Sequence, residues 1–485
     1  MSNKFYITTT LPYVNAEPHI GFAREIIMAD VLARHHRQSG DEVFFNTGTD
    51  EHGLKVYRKA QELGVDAQKY CDQQSQNYKN LRELLNLSWD NFIRTTDEHH
   101  VKAAQEFWRR CDANGFITKK KYPIKYCVGC ELEKTESELV NGCCPLHPDM
   151  PLEIIEEENY FFEFSKFQQK LLKLYVKNPK FVLPAKKLNE IKKFVEMGLE
   201  DFSISRLKAK MPWGIEVPGD AEHVMYVWFD ALVSYIAAIC WPDDSARFND
   251  WWPGAQIAGK DNLRQQAAMW QAMLMAASLP NSKQIFIGGF ITVGGQKMSK
   301  SLGNVISPTQ MVEKFGVDGT RYLLLTLGGF GEDVDVTLER LTEKYNADLA
   351  NGLGNLVSRV FNLFQIYSSS EAPPWRGEVE KYSSQLAPLA RTMNQLFDEM
   401  KLKEILDEIW NQIVWANQYI DETKIWELVK NDKPKAKKVL AELLSAIIKI
   451  GESLAPFMPE TSKKISEAVK AEKIEKGEAL FPRII

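Results

Sequence analysis

The sequence predicts a mixed α/β protein in which a parallel sheet, interrupted by an insertion, precedes an all-helical bundle. Three observations predict it. Residues 1–50 alternate strand, helix and strand at the spacing of a βαβ unit. Residues 116–220 break that alternation with clustered cysteines and with acidic and lysine-rich runs. From about Leu341 onward apolar residues recur at spacings of three and four, as at Leu386, Leu389, Met393, Leu396 and Met400.

The first strand is expected at Phe5–Thr10, running into Leu11-Pro12-Tyr13. A turn at Gly21 leads to a helix over Ala23–Gln38, and a second strand follows at Glu42–Asn46. That strand ends in the polar turn Thr47-Gly48-Thr49-Asp50-Glu51-His52-Gly53. Parallel sheets bind ligands beyond the carboxyl ends of their strands. Pro18–Gly21 and Thr47–Gly53 both lie where that rule places a nucleotide. The insertion carries an acidic run, Glu153–Glu158, and a helix around Lys186–Lys193. Strands resume at Met225–Trp228, Gln256–Gly259 and Gln284–Val293, with a helix over Asn262–Ser278. This divides the chain into a Rossmann-like domain in two halves (1–115 and 221–285), an insertion (116–220), a linking segment (286–340) and a helical domain (341–485).

The 485 residues suffice for roughly two to four domains. Hydrophobic residues at 44% and charged residues at 26% are ordinary globular values. A formal net charge of −5 excludes a polycation, so any nucleic-acid contact must use local basic patches. Met1–Tyr6 lead into an alternating run without the apolar region of a secretory signal. The longest apolar stretches, around Ala231–Cys240 and Ala267–Ala277, fall short of the roughly 18 residues a membrane span needs. A cytoplasmic protein with no membrane association is expected. Cysteines crowded at metal-like spacing argue for a reducing compartment and a metal rather than disulfides.

Three motifs carry chemistry. Lys297-Met298-Ser299-Lys300-Ser301 follows the Gly294-Gly295 turn. Two lysines three apart on a glycine-flanked loop can bring ammonium groups to a triphosphate as its charge redistributes; the plainer reading is a solvated lysine turn. Pro18-His19-Ile20-Gly21-Phe22 stands between a strand and a helix. There a histidine can donate to phosphate, and the glycine admits a nucleotide closely. Cys127-x-x-Cys130 and Cys144-x-x-His147, separated by a thirteen-residue arm, can meet at one tetrahedral centre. Thiolates and an imidazole suit zinc, and four protein ligands leave no open position, so one structural Zn2+ is expected. Cys143 is the competing ligand, and the C-x-x-H spacing favours Cys144.

Taken together, these motifs resemble the class I aminoacyl-tRNA synthetases, which place a His-Ile-Gly-His motif after the first strand and Lys-Met-Ser-Lys-Ser after the last. The second histidine is Phe22 here. Within the class the chain is similar nearly end to end to the methionyl family. The blocks are Leu11-Pro12-Tyr13-Val14-Asn15, Gly48–Gly53, Tyr226-Val227-Trp228-Phe229-Asp230-Ala231 and Gly259-Lys260-Asp261.

The resemblance implies activation of L-methionine by ATP, with Mg2+ on the phosphates, and transfer to the 3′ end of tRNA(Met), initiator tRNA included. His19, Lys297 and Lys300 would be the catalytic groups. ATP would be held by these three with Gly21, Gly259, Asp261 and Ser299. Leu11, Tyr13, Trp228, Ala231, Leu232, Tyr235 and Ile287 would line the methionine pocket, and Asp50 would take the α-ammonium. On the residues alone, the stripe Trp228–Tyr235 reads as core. Asn355, Arg359 and Trp426 would read the anticodon, Asn355 and Arg359 lying one helical turn apart. With Ile485 soon after the bundle and no dimerising carboxyl-terminal domain in view, a monomer is expected.

Two alternatives stand beside this reading. Class I enzymes for leucine, isoleucine, valine or cysteine share the motifs, but the branched-chain enzymes carry a far larger editing insertion than 116–220. A catalytically silent RNA-binding relative is the non-enzyme alternative, and the intact lysines and pocket blocks weigh against it.

Overall fold

The computed structural model describes residues 3–130, 132–134, 138–298, 304–367, 388–471 and 473–485. The chain falls into two compact units. One comprises Met1–Pro18, His36–Arg82 and Ser88–Gly288; the other comprises His19–His35, Glu83–Leu87 and Gly289–Ile485.

The first unit is built on a six-stranded sheet. Its strands in chain order are β1 (Lys4–Thr9), β2 (Glu42–Thr49), β3 (Asn91–Arg94), β4 (Val182–Leu183), β5 (Ala255–Gly259) and β6 (Gln284–Gly288). They lie in the order β3-β2-β1-β5-β6-β4, and every neighbouring pair is parallel. The strands are β-branched and aromatic, and the sheet is buried within a continuous apolar core. The order turns back between β1 and β5, where Thr9 pairs with Ile257. A crevice outside the carboxyl ends of strands at such a reversal is where open α/β sheets bind ligands. Leu11 follows β1 and Gly259 ends β5, so both predicted ligand residues stand at that point.

Several expectations are corrected here. The run Met225–Trp228 is not a strand. The strand is Asp220–Met225, in a small antiparallel sheet with Glu216–Val217 and Ser205–Leu207, and Val227–Ala231 is a short helix. Aromatic and β-branched residues suggested a strand, but Val227, Phe229, Asp230 and Ala231 are all buried, and short buried runs do not distinguish the two states. Thr47-Gly48-Thr49 extends β2 instead of turning. Gly48 is needed there, because a Cβ would lie 1.8 Å from the Ile93 carbonyl oxygen on β3. Gln284–Val293 is two strands, parted at Gly288-Gly289, and Ile291–Val293 pairs instead with Val334–Val336 in the second unit. Residues 116–220 are not wholly an insertion, since Val182–Leu183 closes the edge of the parallel sheet. Asn262–Ser278 begins with a 3₁₀ turn and a π-helical segment, Gln265–Met269, before the α-helix Trp270–Ala276.

The insertion contains a four-stranded antiparallel sheet whose long hairpin joins Ile117–Cys127 to Glu153–Phe162, together with the helices Gln168–Lys177 and Ala185–Glu196.

The second unit contains the helix Ile20–Gln38 as far as His35, then the helix Pro308–Thr326 and a helical bundle. Pro308–Thr326 opens with a capping box: the Ser307 hydroxyl accepts from the Gln310 backbone, and the Gln310 side chain accepts from the Ser307 N–H. Arg321, fully buried, ties the unit together. It donates to Asp30 Oδ2 at 2.7 Å, to the carbonyls of Phe457 (2.8 Å) and Pro456 (3.0 Å), and to that of Leu85 (3.1 Å). Asp30 also accepts from Arg34 at 2.7 Å.

Candidate functional site

In the first unit the end of β2 delivers Asp50, which is 2% exposed. Its backbone pairs with Tyr13: Asp50 N–H donates to the Pro12 carbonyl (3.0 Å), and Val14 N–H donates to the Asp50 carbonyl (3.3 Å). The Tyr13 ring meets the Trp228 ring edge-on, at 6.2 Å and 76°. Leu232, Tyr235 and Ile287 belong to the buried core, with Leu11 and Trp228 packed at its margin; Ala231 is 6% exposed. The pairing brings an acid and two aromatic rings onto neighbouring segments at the edge of an apolar core, a combination that suits a cationic amine on an apolar side chain.

The neighbours of Asp50 are held by polar groups that sequence reasoning missed. Glu51, fully buried, takes a bidentate pair from Arg94 (2.7 and 2.8 Å) and hydroxyl bonds from Thr49 (2.7 Å) and Thr96 (2.6 Å). Its carbonyl accepts from the Trp213 indole at 2.7 Å. His52 Nδ1 lies 2.6 Å from Asp230 Oδ2, and His100 Nε2 lies 2.6 Å from Asp230 Oδ1. Burial of Asp230 opposes its ionisation, but the charge and hydrogen bonds of His52 and His100 hold it below the usual carboxylate range. A second buried chain runs Gln256–Gln266–Tyr235: Gln256 donates to Gln266 at 3.0 Å, and Gln266 to the Tyr235 hydroxyl at 2.7 Å. The signal for these residues was present as polar letters within apolar runs, but their partners lie tens to hundreds of residues away.

Gly259 ends β5, and Asp261 lies exposed in the 3₁₀ turn that follows. A cavity of about 220 Å³ in this unit is lined by Leu54, Arg58, Tyr126, Arg206, Tyr226 and Val227 among others, and by none of the predicted methionine-pocket residues.

In the second unit His19 precedes the helix Ile20–Gln38, and its Nδ1 accepts from the Gly21 N–H at 3.0 Å. That bond makes Nδ1 the acceptor and leaves the ring proton on Nε2, the tautomer a phosphate donor needs. A Cβ on Gly21 would sit 2.7 Å from His19 Cε1, so a larger residue would displace the ring from this position. The same position lies 3.7 Å from the Met298 methyl, so the histidine motif and the lysine motif meet here. Lys297 pairs through its backbone with Thr292. Ser299 and Lys300 lie outside the described residues. Phe22 is 9% exposed and packs into the core.

Cys127, Cys130, Cys144 and His147 converge, their ligand atoms all within 4.8 Å of one another. His147 Nδ1 is 3.2 Å from Cys130 Sγ, 3.7 Å from Cys127 Sγ and 3.9 Å from Cys144 Sγ, and Cys130 and Cys144 are 3.4 Å apart. With metal–sulfur bonds near 2.3 Å, tetrahedral thiolates sit about 3.8 Å apart, so these donors surround a space of the right size for a zinc-like ion. Gly129 makes room for the imidazole: a Cβ would lie 2.5 Å from the His147 ring. Cys144, not Cys143, joins the cluster, and Cys143 pairs through its backbone with Val140.

In the bundle, Asn355 is exposed on the helix Asn355–Tyr367. Arg359, one turn on, donates to Asn417 at 3.4 Å and pairs with Asp421. Lys424, left-handed at φ 44°, breaks the chain into the helix Ile425–Asn431, which holds Trp426 at 42% exposure. Leu386, in the predicted periodic run, lies outside the described residues.

The sequence matches the model of class I (M) tRNA synthetases over residues 5–150 and 134–361, and that of the anticodon-binding domain of methionyl tRNA ligase over 371–480. It is 42% identical to the methionine–tRNA ligase of Thermotoga maritima, with 97% of this chain and 76% of that protein aligned. With the enzyme of Brucella suis it shares 40% identity over 97% and 93%. A structure of Mycobacterium tuberculosis methionyl-tRNA synthetase in complex with methionyl-adenylate superposes at a TM-score of 0.89, with 35% identity over 99% of this chain and 100% of that one. The chain belongs to the methionine–tRNA ligases of the class I aminoacyl-tRNA synthetases.

Proposed function

We propose that this chain carries out the methionine–tRNA ligase reaction with a division of roles between its residues. Asp50 takes the α-ammonium, and Leu11, Tyr13, Trp228, Ala231, Leu232, Tyr235 and Ile287 form the walls and floor around the thioether side chain. Gly259 and Asp261 face the nucleotide. His19, through its Nε2–H, and Lys297, Ser299 and Lys300 bind the phosphates, with ATP entering as its Mg2+ complex. The methionine carboxylate oxygen attacks the α-phosphorus, the bond to the β-phosphate oxygen breaks, and pyrophosphate leaves. A ribose hydroxyl at the 3′ end of tRNA(Met), initiator or elongator, then attacks the carbonyl carbon and AMP departs. The enzyme contributes positioning and charge stabilisation, with no covalent intermediate on its own side chains.

The observation that carries this reading is the buried Asp50, pinned to Tyr13 beside the Trp228 ring. Residues 1–115 and 221–285 serve as the catalytic halves, 116–220 as the metal-bearing segment, 286–340 as the link and 341–485 as the anticodon domain. Cys127, Cys130, Cys144 and His147 would hold one zinc, which supplies folding energy to the knuckle when bound. Asn355, Arg359 and Trp426 contact the anticodon of a cytoplasmic tRNA, and the enzyme acts as a monomer. ATP–pyrophosphate exchange measured with each amino acid in turn tests the reading. Methionine alone supports exchange; faster exchange with isoleucine, leucine or valine overturns it.

A further inference from the structure

We propose that Asp230, held between His52 and His100, is a positioning residue that locks the two walls of the methionine site to each other. The proposal rests on the pocket reading above. Asp230 stands two residues after Trp228 on the same short helix, and His52 stands two residues after Asp50. The 2.6 Å bond between Asp230 and His52 therefore joins the segment carrying the acid to the segment carrying the aromatic wall. The second oxygen of the carboxylate is taken by His100, from the helix Glu98–Ala113, also at 2.6 Å. Asp230 and His100 are fully buried and His52 is 5% exposed. His100 Nδ1 is buried with no hydrogen-bond partner among the described residues, so the carboxylate of Asp230 is the group that holds this ring in place. Both oxygens of the carboxylate are thus occupied, each by a different histidine. The Trp213 ring packs edge-on against His52 at 5.5 Å, closing the remaining side.

A carboxylate that only filled the core would need no partner on the Asp50 segment. This one joins the two groups that must grip the substrate, and neither Asp230 nor His52 is among the residues assigned to substrate contact. Fixed geometry between an acid and an apolar wall discriminates among side chains of similar size, because a misplaced wall no longer excludes the wrong shape.

The experiment compares wild type with Asp230→Asn, His52→Gln, His100→Gln and Asp50→Asn, each checked for its thermal midpoint. The readouts are KM for methionine, KM for ATP and the kcat/KM ratio of methionine to leucine in pyrophosphate exchange. Asp230→Asn and His52→Gln raise the methionine KM about tenfold and narrow the methionine-to-leucine ratio, while the ATP KM stays within about twofold. His100→Gln has a smaller effect, since the His52 link survives. A folded Asp230→Asn with unchanged methionine KM and selectivity overturns the proposal, as does an equal rise in both KM values. If Asp230→Asn does not fold, His52→Gln decides by the same criteria. If Asp50→Asn itself leaves the methionine KM unchanged, the pocket reading fails and the proposal falls with it. If Asp50→Asn raises it and the Asp230 and His52 variants do not, the proposal alone fails.

Discussion

Replacing Arg321 by methionine tests whether the second unit depends on one buried cation. The guanidinium is fully buried and donates to Asp30, Phe457, Pro456, Leu85 and Asn86. Methionine fills much of the volume but leaves the carboxylate and the carbonyls without their donor. Breaking a buried ion pair from one side costs about 3–5 kcal/mol. Asp30 retains Arg34 at 2.7 Å, which reduces the electrostatic part, while each stranded carbonyl adds about 1 kcal/mol or more. The expected loss is therefore about 3–5 kcal/mol. The two compact units need not unfold together, so amide hydrogen exchange along Ile20–Gln38 is the direct measurement, with urea unfolding beside it. Because that helix follows His19, pyrophosphate exchange should fall in parallel. A loss below about 1 kcal/mol refutes the argument, and so does a double-mutant cycle with Asp30→Asn whose coupling is under about 0.5 kcal/mol.

Cys130→Ser should release the metal and destabilise the insertion; zinc analysis of protein purified without chelator gives one ion per wild-type chain, and finding none would refute the site. Trp426→Ala should weaken tRNA aminoacylation by about 1–3 kcal/mol while sparing pyrophosphate exchange, and equal losses in both assays would make it a structural residue. Lys300→Ala should cost roughly 2.7–4 kcal/mol in exchange activity, as for loss of a transition-state donor. Phe22→His should gain no activity and should lower the melting temperature, because the imidazole enters a buried position; restored function in an otherwise inactive wild type would contradict this. Burial opposes ionisation of Asp220, but bonds from Lys119, Tyr160 and His223 hold its carboxyl below its ordinary value, so its stabilisation is present above about pH 4 and lost as pH falls further. Asp220→Asn should accordingly flatten the acid limb of thermal stability, and an unchanged limb would refute the assignment.

What was legible in the sequence was whatever depends on local spacing. The β1–helix–β2 unit, the Cys127–Cys130–Cys144–His147 cluster and the helical bundle all follow from periodicity or from residue pairs a few positions apart. Cys144 was separable from Cys143 because C-x-x-H is itself a local rule. Met225–Trp228 failed because a short, largely buried run carries no period to read. Val182–Leu183 failed because two residues become a strand only when Ile285 and Phe286 supply a ladder from a hundred residues away. The network around Asp230 was hidden for the same reason: His52 and His100 approach it from 178 and 130 residues earlier. The candidate site was recognised through family blocks, while its supporting groups became visible only with the fold.

The two kinds of charge in this protein are held in contrasting ways, and the contrast follows from what each must do. On the proposed reading Asp50 would meet a charge that is present throughout binding, where rigidity sharpens selection, and its neighbours are pinned by Glu51–Arg94 and His52–Asp230. The proposed phosphate-binding cations would meet a charge that moves as the bond to pyrophosphate breaks. The His19 ring accepts from the Gly21 N–H at a helix start, and the lysine motif follows Gly294 and Gly295, both at positive φ (62° and 76°). Positive φ is accessible to glycine without strain, so this tight turn can place Lys297 without displacing the neighbouring strand. On the proposed reading, recognition thus belongs to the sheet and its buried polar bonds, and charge stabilisation to a helix start and a glycine turn. Substitutions beneath Asp50 should therefore appear first in methionine selectivity, and those around Gly21, Gly294 and Gly295 first in kcat.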